Sequence, residues 1–151
     1  LFTAVAGIML RYGTTNVDQL AGLGRRMPLT MLGFVFAGLS LIGVPLTAGF
    51  ISKWYLIQAV LEEPGLGILL TILILAASLM AVVYVWKVVE IAYFKAPAQG
   101  SLQDIKRQEA PLPLLLVLWV LVGANIWFGI DPSLPLKVAG MEIGHVLGVS
   151  P

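Results

Sequence analysis

Leu39-Ser40-Leu41-Ile42-Gly43-Val44-Pro45-Leu46-Thr47-Ala48-Gly49-Phe50-Ile51-Ser52-Lys53-Trp54 is the stretch whose reading decides the fold. It sits in a run from Met27 to Leu61 in which Lys53 is the single charged residue. A straight helix over the 33 residues 29–61 would rise about 50 Å, well beyond the roughly 30 Å hydrocarbon core of a bilayer. Pro45 offers a better solution than tilt, because it removes an amide donor and clashes with the preceding turn. Val44, the residue before it, is pushed away from helical angles. The sequence therefore predicts two half-helices, 29–43 and 50–61, joined by an unwound linker that Gly43, Pro45, Thr47 and Gly49 support. Unwound backbone at membrane depth is tolerated only where it is buried in protein or lines a wet cavity.

Composition places the whole chain in the same class. Hydrophobic residues make up 59% of 151 positions and charged residues 11%, against about 45–50% and about 25% in soluble domains. The net charge of +1 gives no sign of nucleic-acid binding. Without cysteine the chain cannot form a disulfide or a thiolate-held iron–sulfur or zinc site. The single histidine, His145, cannot hold a haem between two imidazoles, and no cofactor or metal site is expected. No paired carboxylates or catalytic triad appear. The short Gly22-Leu23-Gly24 motif lacks the strand and the lysine of a phosphate loop.

Outward from the broken stretch, Leu1 to Leu10 is apolar but half the length of a span. It reads as the end of a helix begun upstream, running to residue 12 and making the chain a C-terminal fragment of a longer membrane protein. Gly13 to Asn16 is turn chemistry, with Asn16 placed to cap a short helix from Val17 to Leu23. Arg25, Arg26 and Pro28 close that loop. Glu62, Glu63, Pro64 and Gly65 form a turn before a helix over 66–94. A polar loop, 97–110, carries Asp104, Lys106, Arg107 and Glu109. The last span covers 111–130, with Trp119 in its middle and Trp127 and Phe128 suited to an interfacial aromatic belt. The tail 133–151 holds a weakly amphipathic piece, Leu136 to Leu147, expected at the interface. The fold class is all-α, a set of transmembrane helices of which one is discontinuous.

Loop charges supply an orientation. Loop 11–28 has Arg11, Arg25 and Arg26, and loop 95–110 has Lys95, Lys106 and Arg107. The turn at 62–65 has two acids and no base. Basic residues thus alternate with successive crossings, which puts loops 11–28 and 95–110 in the cytoplasm of a cell-membrane protein. Lys53 then lies nine residues from Glu62, about 13 Å of helical rise and close to the midplane.

Intramembrane ionisable residues mark transport pathways, so Lys53 is the leading candidate for proton transfer. Lysine suits the task because desolvation moves its proton affinity toward the physiological range, whereas arginine stays charged. A structural alternative has the ammonium hydrogen-bonded to loose carbonyls of residues 43–47. Lys87 and Glu90, three residues apart on one helix, are neighbours there. They form either part of a path from the cytoplasm or a helix-end ion pair. Thr47 and Ser52 are candidates to bridge waters. Ser78 and Tyr84 read as helix-packing residues, and His145 as a solvated or interfacial group.

The run Leu20-Ala21-Gly22-Leu23-Gly24-Arg25-Arg26-Met27-Pro28, together with residues 39–54, resembles the antiporter-like membrane subunits of proton-pumping NADH:quinone oxidoreductase, Mrp-type cation/proton antiporters and membrane hydrogenases. The likeness covers residues 1–95; the last third matches only as hydrophobic spans. It implies a parent of about fourteen helices with two inverted repeats, each with a broken helix bearing a key lysine or glutamate. Lys53 falls on that position in the second repeat, and Lys87 on the following helix, where relatives often place a basic residue. The implied function is a proton-translocating subunit with other membrane subunits, the lipid bilayer and protons as partners. The wording of residues 20–28 and of Ile51-Ser52-Lys53-Trp54-Tyr55 leans toward an Mrp antiporter, closest to its D subunit, with sodium as a further ion. The alternatives are a redox-driven pump, as in the oxidoreductase or a hydrogenase, and a purely structural membrane subunit.

Overall fold

A computed structural model describes residues 1–13, 20–62, 64–95, 109–135 and 137–138. Six helices follow in order among them: α1 (Phe2–Tyr12), α2 (Leu23–Arg26), α3 (Pro28–Ile42), α4 (Ala48–Leu61), α5 (Gly67–Phe94) and α6 (Leu112–Ile130). Helices α5 and α6, with 28 and 19 residues, are long and apolar enough to cross a membrane. Helices α3 and α4 are the two pieces of the expected broken helix.

Local chemistry sets each boundary of the break. Pro28 opens α3 at its first turn, where a missing amide costs nothing. Gly43 ends it in the left-handed conformation, φ 90°, with its N–H and that of Val44 both reaching back to Leu39 O. Residues 44–47 then turn. Thr47 N donates to Val44 O at 3.3 Å, with Pro45 second in the turn and Leu46 third at φ 73°. That is the pattern of a type II turn, whose third position normally takes glycine. Thr47 Oγ1 donates to Val44 O at 2.7 Å and accepts from Phe50 N, capping α4. Because Thr47 is the cap, α4 starts at Ala48 rather than at residue 50. Gly49, expected in the unwound linker, lies in the first helical turn. There an added Cβ would run into the carbonyl oxygen of Ser40, so its smallness serves close approach.

Helix α3 sits at the centre, packed against α1, α2, α5 and α6 as well as α4. Its glycines are notches for neighbours: a Cβ on Gly33 would stand 2.6 Å from Leu118 of α6, and one on Gly38 2.8 Å from Val85 of α5. Small residues that let helices close up are the usual basis of association in lipid, where no hydrophobic force acts between spans. The first turn of α3 has no cap from its own segment. Glu109 supplies one from far along the chain, its carboxylate accepting from Leu29 N at 3.0 Å, Thr30 N at 3.3 Å and Thr30 Oγ1 at 3.0 Å. A negative charge there also suits the positive end of the helix dipole. Glu109 O accepts in turn from Arg11 Nε at 3.0 Å. Arg11, the start of α3 and the start of α6 thus share one end of the bundle, while the turn joining α4 to α5 lies at the other.

A further sequence expectation shifts. The described helix between α1 and α3 is α2, at Leu23–Arg26, where a closing loop was expected; Gly22 at φ 77° starts it. Of the expected Val17–Leu23 helix, Leu20 to Gly22 form a turn rather than α-helix, and only Leu23 is helical, as the first residue of α2. Asn16 and residues 17–19 lie outside the described residues, as do Asp104, Lys106, Arg107, His145 and most of the tail.

Candidate functional site

Continuing α3 as a helix would require residues 45 and 46 to donate their amides to Leu41 O and Ile42 O. Pro45 has no N–H to give, and the turn carries Leu46 away. Lys53 fills both vacancies. Helical side chains lean toward the N-terminus of their own helix, so a lysine in the second turn of α4 points back toward the break. Its Nζ donates to Leu41 O at 2.6 Å and to Ile42 O at 3.0 Å. A third bond runs to Ser78 Oγ on α5 at 2.7 Å. The carbonyls are those of α3's last turn, one turn earlier than residues 43–47. The negative end of the α3 dipole adds to their attraction for a cation. Gly43 makes room: a Cβ there would meet Lys53 Cδ at 3.0 Å.

The other lip of the break is held from α6. Asn125 Oδ1 accepts from Ser40 Oγ at 2.9 Å and from Ala48 N at 3.0 Å. Ser40 Oγ accepts in turn from Gly49 N at 3.3 Å. With Thr47 Oγ1 on Phe50 N, the first three amides of α4 all find side-chain oxygens. Gly129, one turn on from Asn125, lets α6 lie directly on the backbone of Leu46 and Thr47. Both ends of the break are thus satisfied inside the chain, as burial in a membrane demands.

A cleft of about 490 Å³ opens beside Lys53, lined among others by Thr3, Ser40, Ser52 and Asn125. These are hydroxyls and an amide, groups that hold water. Ser52 lines this cleft, whereas Thr47 is committed to capping. Tyr84 is exposed. Ser78, read from sequence as packing, is a direct partner of Lys53. Lys87 lies nine residues beyond it, two and a half turns, and so on the opposite face of α5. Lys87 and Glu90 are both exposed, and the structure does not bring either to Lys53. Sequence reading passed over Asn125 and the capping role of Glu109. The signal for Asn125 was present, as a single amide in an otherwise apolar span.

Comparisons with known proteins agree with this architecture. Residues 1–83 match the model of the NADH:quinone oxidoreductase/Mrp antiporter transmembrane family. NADH-quinone oxidoreductase subunit N of Desulforudis audaxviator is 41% identical over 113 residues, covering 75% of this chain and 21% of that protein. NAD(P)H-quinone oxidoreductase subunit 2 of Synechococcus elongatus is 30% identical over 158 residues, covering 99% of this chain and 30% of that protein. A chain in the structure of the membrane-bound sulfane sulfur reductase, an archaeal respiratory membrane complex, superposes with a TM-score of 0.72 at 34% identity, over 87% of this chain and 21% of that one. The chain therefore spans a fifth to a third of the length of these relatives. It is part of a multi-pass membrane protein. The family match contains the break, Lys53 and Ser78 and takes in 83 of 151 residues, so this chain belongs to the NADH:quinone oxidoreductase/Mrp antiporter transmembrane family.

Proposed function

We propose that this chain is part of a proton-translocating membrane subunit and that Lys53 takes up and releases the proton. The observation that carries the reading is one basic side chain held at a helix break, far from either end of the bundle, beside a largely apolar cleft into which Thr3, Ser40, Ser52 and Asn125 bring polar groups. Release of the proton frees an amine, and the cleft gives water a place from which to receive it. The parent is a multi-subunit complex in the cell membrane, with loops 11–28 and 95–110 facing the cytoplasm. Two of the named relatives are quinone oxidoreductase subunits and the third belongs to a respiratory sulfane sulfur reductase, which together favour a respiratory redox complex. The Mrp reading, with sodium as an exchanged ion, rests on residues 20–28 and 51–55. Lys87 and Glu90 enter the proposal as charges on the far face of α5, which a proton route would reach by passing around that helix.

A structural reading has one observation in its favour, namely that Lys53 caps α3 in place of the missing amides. Two substitutions in the full subunit, assembled in its complex and measured in sealed vesicles, separate the readings. Lys53→Met should bring proton translocation down to background while the subunit still co-purifies with its partners. Lys53→Arg keeps donors for the carbonyls but cannot release a proton. Its translocation should be lost as well. Wild-type translocation in Lys53→Arg would refute proton transfer and leave the cap as the role of Lys53.

A further inference from the structure

Three oxygens surround Lys53 Nζ: Leu41 O at 2.6 Å, Ile42 O at 3.0 Å and Ser78 Oγ at 2.7 Å. An ammonium has three N–H donors, and a neutral amine has two with a lone pair. The cradle therefore fits the charged form fully, and loss of one proton turns a lone pair toward an oxygen. Two of the three oxygens are carbonyls, which only accept. Ser78 differs, because a hydroxyl both donates and accepts. Its hydrogen goes to Ile74 O, 3.1 Å away, leaving its lone pairs for the ammonium.

We propose that Ser78 is a positioning residue that follows the protonation state of Lys53, accepting from the ammonium and turning its hydroxyl to donate to the neutral amine. The inference rests on the reading of Lys53 as the proton-transfer residue. In the step, one N–H bond of Nζ breaks, its proton passes to a water in the cleft, and the electron pair stays on nitrogen. The Ser78 O–H then rotates from Ile74 O to that pair. Ile74 O gives up nothing it needs, since in the α-helix it still accepts the Ser78 amide. The amine is thereby held in place for the next proton instead of swinging free.

No charged side chain competes for this control among the described residues. Besides Lys53, the polar side chains lining the cleft are Thr3 on α1, Ser40 on α3, Ser52 on α4 and Asn125 on α6, none of which titrates. Tyr55 on α4 lines a different one, and Lys87 and Glu90 point off the far face of α5.

The test is the pH profile of proton translocation by the complete complex in sealed vesicles, for Ser78→Ala, Ser78→Thr and Lys53→Met side by side. Ser78→Ala should lower the rate about tenfold, as expected for one hydrogen bond to a charged group. It should also move the alkaline limb to lower pH, because the lost acceptor served the charged form more strongly than the lost donor serves the neutral one. Ser78→Thr keeps the hydroxyl and should restore both rate and profile. A wild-type profile in Ser78→Ala would overturn the proposal. A reduced rate with an unshifted profile that threonine does not rescue would also overturn it, assigning Ser78 to packing. Full translocation by Lys53→Met would instead fail the underlying reading of Lys53, whatever Ser78 does.

Discussion

Replacing Asn125 by alanine removes one oxygen that joins three helices. Asn125 Oδ1 accepts from Ser40 Oγ of α3 and Ala48 N of α4, at 2.9 and 3.0 Å. Interhelical polar bonds in membranes average about 0.6 kcal/mol and reach about 1.7, so the pair contributes about 1–3 kcal/mol. The Ala48 amide also loses its partner, and an orphaned donor costs about 1–3 kcal/mol, less where cleft water can reach it. Together these give about 2–4 kcal/mol in favour of opening the first turn of α4. At tenfold per 1.4 kcal/mol, local opening should rise at least about 30-fold. Hydrogen exchange with mass spectrometry on the complete subunit in its complex reads this directly. Peptides spanning residues 44–52 should lose protection, while those from the middle of α5 keep theirs. Asn125→Asp retains an acceptor oxygen and should recover most of the protection. Unchanged exchange over 44–52 in the alanine variant would refute the role given to Asn125, and a uniform rise across all helices would mean general unfolding instead.

Gly49→Ala places a methyl on the backbone carbonyl of Ser40, which cannot turn aside. Helix α4 must then move off α3 at a cost of about 3 kcal/mol. Thermal melting of the purified complex should show a clear loss, and a wild-type melting curve would show that the two pieces have slack where none is drawn. Glu109→Ala leaves the Leu29 and Thr30 amides without their cap and should destabilise the start of α3 by about 1–2 kcal/mol. Glu109→Gln, keeping an oxygen, should fall between; equal stability of all three would dismiss the cap.

The break itself was legible because its causes are local. Proline without an amide, glycine able to adopt positive φ and too many apolar residues for one crossing all lie within a few positions of each other. Its limits moved by two residues at the start of α4, since Thr47 acts as the cap that short polar residues favour. The partners were not legible. Lys53 meets Ser78 across 25 positions and Ser40 meets Asn125 across 85, and no periodicity in either segment encodes which spans touch. Leu46 is a different failure. A leucine at φ 73° occupies a position where local preference asks for glycine, and the packing of α6 over the turn holds it there. Lys87 lay at a suitable depth by residue count, but depth says nothing of direction around a helix, and α5 turns it away from the break.

The two pieces of the interrupted helix are mechanically unequal. Helix α3 buries Thr30, Met31, Gly33, Phe34 and Gly38 among its neighbours, while α4 buries no residue among the described residues. Side chains seated in glycine notches resist sliding in every direction. Hydrogen bonds at the break hold the start of α4 to α3, and the rest of α4 lies against α5 and α6. Helix α3 is thus seated by side chains buried among its neighbours, whereas α4 lies along α5 and α6 and is tied to α3 by the hydrogen bonds at the break, with Lys53 as the latch between them. A displacement of α4 against α3 therefore reaches the lysine at the break before it disturbs the buried face of α3.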